Sequence, residues 1–487
     1  NIVQTFAATN VSDGAAPVIV SVQFQDIVSP DDGKLDLLSI SYTETVSAVA
    51  DASAGFALSS AANFASIVEG TVECNSGSAV ADECLYNFTT STIKTNVGDL
   101  SLAYSGASAV VTDGTNTAAD KTITSASSPA FTDGAAPAAI DSLISIAGAT
   151  GTGGAFKIDD TVTATWDNSS TAGDVSSVTA NLSQFGGGAA VVMTDTTACG
   201  GTASDNIYEA CYTILGSEAI DDANNNVSVS ATDAASNNRE SADTTDATVD
   251  TIVPTVTTGS VSVTGASGTS GAFKNGDTGV GRWDNSGTGD NNTDTIASVT
   301  INASAFDDGS SALSGSVASG IYTATIGTLD SQDDTNNNVT VTVVDNAGNS
   351  TATAGTNNYT IDTIVPVVTA GNVTVTGCTG TSGACKNGDT ITLNWLGDTD
   401  GETDTIASAT FVATDFDAAS TAVVGTDPGT PGTNNWTGSL TDGAPDSQDD
   451  AGNQISVTVT DNAGNSSGSV TSTATYTVDT IVPVVTV

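Results

Sequence analysis

The stretch Asn337–Pro366, "NNVTVTVVDNAGNSTATAGTNNYTIDTIVP", decides the fold. Val339, Val341 and Val343 fall on one side of an extended chain and Thr340 and Thr342 on the other, the period-2 pattern of a half-buried strand. Asp345, Asn346, Ala347, Gly348 and Asn349 follow as a turn, because Asp and Asn side chains hydrogen-bond nearby backbone and Gly tolerates positive φ. A last strand then runs to Asp362, and Pro366, lacking an amide hydrogen, stops the sheet from continuing. The same phrase returns as "NNVSVSATDAASNN" from Asn225 and "NQISVTVTDNAGNS" from Asn453. A segment that closes in this way three times is a repeated β-domain.

Working outward, Pro17, Pro137, Pro254, Pro366 and Pro483 stand in matching phrases, at intervals of 120, 117, 112 and 117 residues. That period is too long for a helical solenoid and suits whole β-sandwiches of about 100 residues. The expected class is all-β, tandem immunoglobulin-like sandwiches arranged as beads on a string. The expected layout is the last strand of a preceding domain over 1–13, then sandwiches over 14–133, 134–250, 251–362 and 363–479. Residues 480–487 are then expected to start a following domain or complete a partner, and "NIVQTFAATNVSDGAAP" at the front reads as the last strand of a preceding domain followed by its own junction.

Inside the repeat, "GATGTGGAFKIDDTVTATWDN" from Gly148 matches "GASGTSGAFKNGDTGVGRWDN" from Gly265 and "GCTGTSGACKNGDTITLNWLG" from Gly377. The Asn-Gly pairs after Lys274 and Lys386 predict hairpins. Beyond them Val162, Ala164 and Trp166 share a face, as do Ile391, Leu393 and Trp395. Gly279, Gly281 and Trp283 occupy that face in the third copy, which predicts the least well packed strand. The tryptophans read as core anchors rather than sugar-stacking platforms. The first copy diverges: two alternating strands flank the turn Pro30-Asp31-Asp32-Gly33, and a loop carries Cys74 and Cys84. No segment sustains a 3.6-residue apolar period.

Composition agrees. In a chain of 487 residues only 38 % are hydrophobic and 5 % aromatic, enough for several thin cores rather than one large one. The net charge is -48, from 56 acidic against 8 basic residues, and 48 of the acids are Asp. Short carboxylates accompanied by Asn and Gly suit turns and hard-cation sites. Nothing basic clusters, so nucleic acid and anionic membrane are not the expected partners. No apolar run is long enough to insert into a membrane. The six cysteines form local pairs, Cys74/Cys84, Cys199/Cys211 and Cys378/Cys385, which predicts three intradomain disulfides and an oxidising compartment.

The "D-T-x-x-P" openings, the "VTVTDNAGN" closings and the unit "APVIVSV…DGKLDLLSISYTETV" resemble the immunoglobulin-like repeats of bacterial and archaeal surface proteins, of S-layer or adhesin type. The resemblance covers nearly the whole chain. It implies an extracellular, cell-surface location and calcium-rigidified junctions, with Asp362 and Asp479 as junction ligands.

Acidic clusters recur at matching places. One follows each tryptophan: Asp167, Asn168 and Asp174; Asp284, Asp290 and Asp294; Asp398, Asp400, Glu402 and Asp404. A second precedes the closing strand: Asp221 and Asp222; Asp330, Asp333 and Asp334; Asp446, Asp449 and Asp450. The closing turns add Asp345, Asn346 and Asn349, and Asp461, Asn462 and Asn465. The boundaries add Asp250, Asp362 and Asp479. Calcium takes six to eight oxygens from such side chains and carbonyls, so Ca2+ is the expected cofactor.

Catalysis has little to stand on. The chain has no His, which removes Ser-His-Asp and Cys-His arrangements. The "DTG" at Asp277–Gly279 is a repeat position, reading "DTV" at Asp160 and "DTI" at Asp389. The Gly-rich stretches lack the Lys-Ser/Thr ending of a phosphate loop. The expected role is a non-catalytic structural protein that self-assembles into a surface layer or filament. Its partners would be copies of itself and cell-wall or surface glycans. The alternative is the stalk of a large calcium-dependent adhesin.

Overall fold

The computed structural model describes residues 14–27, 32–48, 55–60, 67–74, 81–90, 97–98, 100–107, 111–170, 175–428, 434–441 and 448–486. Two compact units emerge: residues 1–252 with 347–349, and residues 253–346 with 350–487. The segment 1–13 expected to end a preceding domain lies outside the described residues, as do Pro30, Asp31, Asp174 and Asp446.

The first unit holds two sandwiches. In the first, a five-stranded sheet runs in the order Phe131–Asp133, Ile19–Gln25, Leu37–Tyr42, Glu83–Thr90, Ile67–Cys74, and a three-stranded sheet joins Phe56–Ser60, Leu100–Tyr104 and Lys121–Thr124. Alternation delivers Phe24, Tyr42, Phe56, Tyr86, Leu102 and Ile123 to one core. Phe24 and Phe131 meet edge-to-face at 4.8 Å, a favoured aromatic geometry. In the second sandwich, Ile144–Ala147, Thr161–Asp167 and Ile207–Thr213 form one sheet. Val191–Val192, Ser177–Asn181, Ser228–Thr232 and Asn238–Ala242 form another.

The second unit repeats that plan twice. Its third sandwich pairs Val261–Thr264, Val280–Asp284, Ile321–Thr325 and Ser316–Ala318 in one sheet, and Leu313–Ser314, Ile296–Asn302, Thr340–Asp345 and Ser350–Ala354 in another. A small sheet at one end orders Phe273–Lys274, Tyr359–Asp362 and Asp333–Asn337. The fourth sandwich carries the matching small sheet of Cys385–Lys386, Tyr476–Asp479 and Asp449–Asn453. The chain is thus an all-β series of immunoglobulin-like sandwiches.

Trp166, Trp283 and Trp395 are fully buried and centre their cores. A buried indole needs a partner for its N–H. Trp283 Nε1 donates to Asp290 Oδ2 at 2.7 Å, Trp395 Nε1 to Asp400 Oδ2 at 2.8 Å, and Trp166 Nε1 to the Ala138 carbonyl at 3.1 Å. Two acids of the post-tryptophan clusters are therefore indole acceptors.

The structure departs from sequence expectation in three places. The Asn-Gly turns are not hairpin turns: Phe273–Lys274 pairs in parallel with Tyr359–Asp362, while the strand after the turn, Val280–Asp284, belongs to the other sheet. The turn at Lys274–Asp277 closes through the Asp277 amide on the Lys274 carbonyl, and it hands the chain from one sheet to the next. The glycine-bearing strand is not loosely packed. A methyl group on Gly281 would come within 2.8 Å of Ile301 Cγ2, and one on Gly279 within 2.9 Å of Ile326 Cδ1, so bulky neighbours fill the space. Cys74 and Cys84 lie on adjacent strands, directly opposite each other, rather than in a loop. Val484 and Val485, in the segment expected to start a following domain or complete a partner, are 87 % and 84 % exposed.

All six cysteines are bonded, as Cys74–Cys84, Cys199–Cys211 and Cys378–Cys385.

Candidate metal centre

Each sandwich closes with a turn whose asparagine reaches back to the segment by which the chain came in. Asn465 Nδ2 donates to the Asp362 carbonyl at 2.9 Å. Asn349 Nδ2 donates to the Asp250 carbonyl at 3.1 Å, Asn237 Nδ2 to Asp133 at 3.1 Å, and Asn116 Nδ2 to Ala15 at 2.8 Å. The asparagines are held by the aspartate that opens the turn. Asp461 accepts the Asn465 amide at 2.8 Å and its Nδ2 at 2.9 Å, and Asp233 does the same for Asn237 at 2.8 and 2.7 Å. The pattern Asp-x-x-x-Asn, shortened to Asp-x-x-Asn at Asp113–Asn116, is thus a clamp on the segment that enters each sandwich.

In the second unit this clamp assembles an acidic centre. Asp362 ends the third sandwich, Asp461 opens the closing turn of the fourth, and Asp404 lies just before the strand Ile406–Val412. Each offers a carboxylate oxygen, and these oxygens lie within 4.8 Å of one another. Asp461 is 1 % exposed and Asp362 7 %. The Asn462 amide donates to the Thr405 carbonyl at 2.9 Å, which ties the turn to the loop that carries Asp404. A cavity of about 540 Å³ is lined by Asp362 and Asp404, together with Asp333, Thr269, Asn462 and Ala463.

Electrostatics marks the site as costly without a cation. Burial, then the charges of Asp404, Asp461 and Asp333, push the Asp362 carboxyl up to about 6. Burial, then Asp461, Asp333 and Glu402, push Asp404 up to about 6 as well. Like charges this close oppose joint ionisation, and a divalent ion would reverse that. The donor set fits a hard cation. Asp404 Oδ2 is buried with no hydrogen-bond partner, whereas Asp461 Oδ1 and Oδ2 are already oriented by amides. Three carboxylates supply part of a calcium shell, and the cavity has room for waters to complete it.

The remaining candidates sort differently. Asp345 is fully buried, and its carboxylate lies within 4.8 Å of that of Asp294. Asp250 is buried at the end of Ala247–Asp250, with Oδ1 accepting the Ile252 amide at 2.9 Å. By sequence Asp250, Asp294 and Asp345 are the counterparts of Asp362, Asp404 and Asp461. Asn346 and Asn462 are exposed residues, Asn462 at the rim of that cavity. Asp221, Asp222, Asp334, Asp449 and Asp450 lie exposed on the edge strands Asp221–Asn225, Asp333–Asn337 and Asp449–Asn453. Asp333 pairs in register with Asp362 and is the member of that strand lining the cavity. Asp330 accepts the Asp308 amide at 2.9 Å. Asp479 is exposed and accepts the Ile481 amide at 3.2 Å.

Asp160, Asp277 and Asp389 brace the Gly-rich loops instead. Oδ2 of Asp389 accepts the amides of Thr379 and Lys386 at 2.8 and 3.0 Å, and the other two repeat this. Against the penalty of burial, the Thr379 hydroxyl and these amides hold the Asp389 carboxyl well below the usual range. The "DTG" aspartate is one of these braces.

No protein-family model and no curated protein matches the chain. Among solved structures, the tetra-tandem repeat in the extending region of a large adhesion protein is similar at 17 % identity, covering 96 % of this chain and 100 % of that one, with a TM-score of 0.21. A Ca2+-stabilized adhesin that helps an Antarctic bacterium bind ice is similar at 18 % identity over 94 % and 99 %, with a TM-score of 0.35. A structure of a 1.5-MDa bacterial ice-binding adhesin is similar at 19 % identity over 70 % and 98 %, with a TM-score of 0.27. Likenesses of this size leave the functional reading to the chain's own residues.

Proposed function

We propose that the chain is a non-catalytic extracellular spacer, the stalk segment of an adhesin-type surface protein, in which Ca2+ stiffens the junctions between sandwiches. The observation that carries this reading is the convergence of Asp362, Asp404 and Asp461 from two successive sandwiches on one point. Asp362, Asp404 and Asp461 would hold the ion, with Asp333 close enough to act through water. A bound ion supplies the positive charge that lets all three carboxylates ionise together, and Asn465 keeps Asp362 and Asp461 in register.

The spacer reading is preferred to the self-assembling layer because the edge strands discourage lateral pairing. Asp221–Asn225, Asp333–Asn337 and Asp449–Asn453 expose acids along the edge. Each is also kinked by a left-handed residue, Asn224, Asn336 or Gly452. Charge and bulges are the usual protection against edge-to-edge association. The three bulged edges repel copies of one another.

Thermal unfolding of the full chain, with calcium and with chelator, tests the proposal. Calcium should raise the transition of the second unit, and Asp404→Asn should abolish most of that rise. An unchanged transition would refute the metal reading. Ordered sheets on calcium addition, seen by electron microscopy, would restore the layer.

A further inference from the structure

The first unit's junction carries a cation of its own. Arg239 sits two residues beyond the clamp asparagine Asn237, on the strand Asn238–Ala242. Its Nη2 lies 2.7 Å from Asp26 Oδ2, with the arginine side chain 10 % exposed and the aspartate 0 %. Asp26 belongs to the first sandwich, one residue past Ile19–Gln25, and the same oxygen accepts the Gly33 amide at 3.0 Å. Asn237 meanwhile holds the Asp133 carbonyl. One closing turn therefore grips the neighbouring sandwich at two points, one neutral and one charged. The residues aligned with Arg239 in the third and fourth copies are Thr351 and Ser467, which are neutral.

The comparison of turns sharpens this. In the fourth sandwich Asp461 faces Asp362 and Asp404. In the second, Asn237 engages both oxygens of Asp233 just as Asn465 engages those of Asp461, and Asp133 Oδ1 accepts the Ala135 amide at 3.0 Å, so what this junction adds is the Arg239–Asp26 pair. A guanidinium stays charged at any physiological pH, and a chelator cannot remove it.

We propose that Arg239 is a built-in counter-ion that locks the junction of the first two sandwiches without bound metal, so that withdrawing divalent cations loosens the junction of the third and fourth and leaves the first one closed. The second half of this contrast rests on the calcium reading above; the Arg239 lock does not.

Amide hydrogen exchange on the full chain, with calcium or with chelator, reads both junctions. Gly33, which donates to Asp26, and Gly134, which donates to the Phe24 carbonyl, report the first. Thr269, which donates to the Ala463 carbonyl, and Asn275, which donates to Asn465 Oδ1, report the other. Chelation should speed exchange at Thr269 and Asn275 by about tenfold and leave Gly33 and Gly134 unchanged. Arg239→Gln should speed Gly33 and Gly134 at either calcium level, and Arg239→Lys should do so less. Asp26→Asn probes the pair from the other side should Arg239→Gln fold poorly. Wild-type rates at Gly33 and Gly134 in Arg239→Gln and Asp26→Asn would overturn the lock, and so would chelation speeding all four amides alike. If chelation moves neither junction while Arg239→Gln opens the first, the lock stands and the calcium reading falls.

Discussion

Where the first sandwich meets the second, a buried aspartate faces an arginine; where the third meets the fourth, a buried aspartate faces two more aspartates. The clamp asparagine is common to both, with Asn237 on Asp133 and Asn465 on Asp362. The difference teaches that hydrogen bonding and charge are separate parts of the junction. Hydrogen bonding sets the register in every copy, while charge compensation is internal in one case and, on the proposed calcium reading, left to the solution in the other.

The comparison breaks most readily at Arg239. Arg239→Met takes the guanidinium away from buried Asp26, and removing one partner of a buried pair costs roughly 3–5 kcal/mol. Calorimetry should show that loss in the first unit's transition alone. The double variant Asp26→Asn with Arg239→Met should lose much less than the sum of the two single changes.

The clamp itself should cost the same on both sides. Asn237→Ala and Asn465→Ala each remove a donor to a junction carbonyl and to the turn aspartate, a loss of about 1–3 kcal/mol. Urea titration of each variant measures it. A large cost at one junction and none at the other would mean that the two turns are not equivalent.

The smallest effect is that of pH. The Asp362 and Asp404 carboxyls stand at about 6 in the fold, above the ordinary 3.8. The metal-free fold therefore takes up protons on forming. Its contribution from these groups is fully present below about pH 4 and is lost as pH rises through 6. In chelator, thermal scans should show the second unit's transition falling between about pH 4 and 7. Saturating calcium should remove or reverse the fall. The first unit's transition, followed in the same scans, is the comparison for that fall.

Much of this fold was legible in the sequence. Alternation along Val339–Val343 named a strand, and Trp166, Trp283 and Trp395 fell where cores need anchors. The Asn-Gly turn misled because a turn fixes the local bend and not the sheet its arms join. The glycines of Gly279–Trp283 misled because packing is set by the neighbours Ile301 and Ile326, which lie elsewhere in the sequence. At the candidate site, Asp362 and Asp461 were visible as boundary and turn residues. Asp404 was one acid among four in its cluster, and only the backbone decides that Asp400 turns to an indole while Asp404 faces the junction. Asn465 read as a turn former, since its long-range partner is over 100 residues away. The signal for Arg239 was its rarity: the chain has only two arginines, and one stands on the strand just after a closing turn.

Calcium titration of the full chain by isothermal calorimetry bears most directly on the central claim. Wild-type protein should give saturable binding, and the variant Asp404→Asn with Asp461→Asn should lose one equivalent while keeping its fold by circular dichroism. Equal stoichiometry in the two proteins, or no binding heat in either, would contradict it.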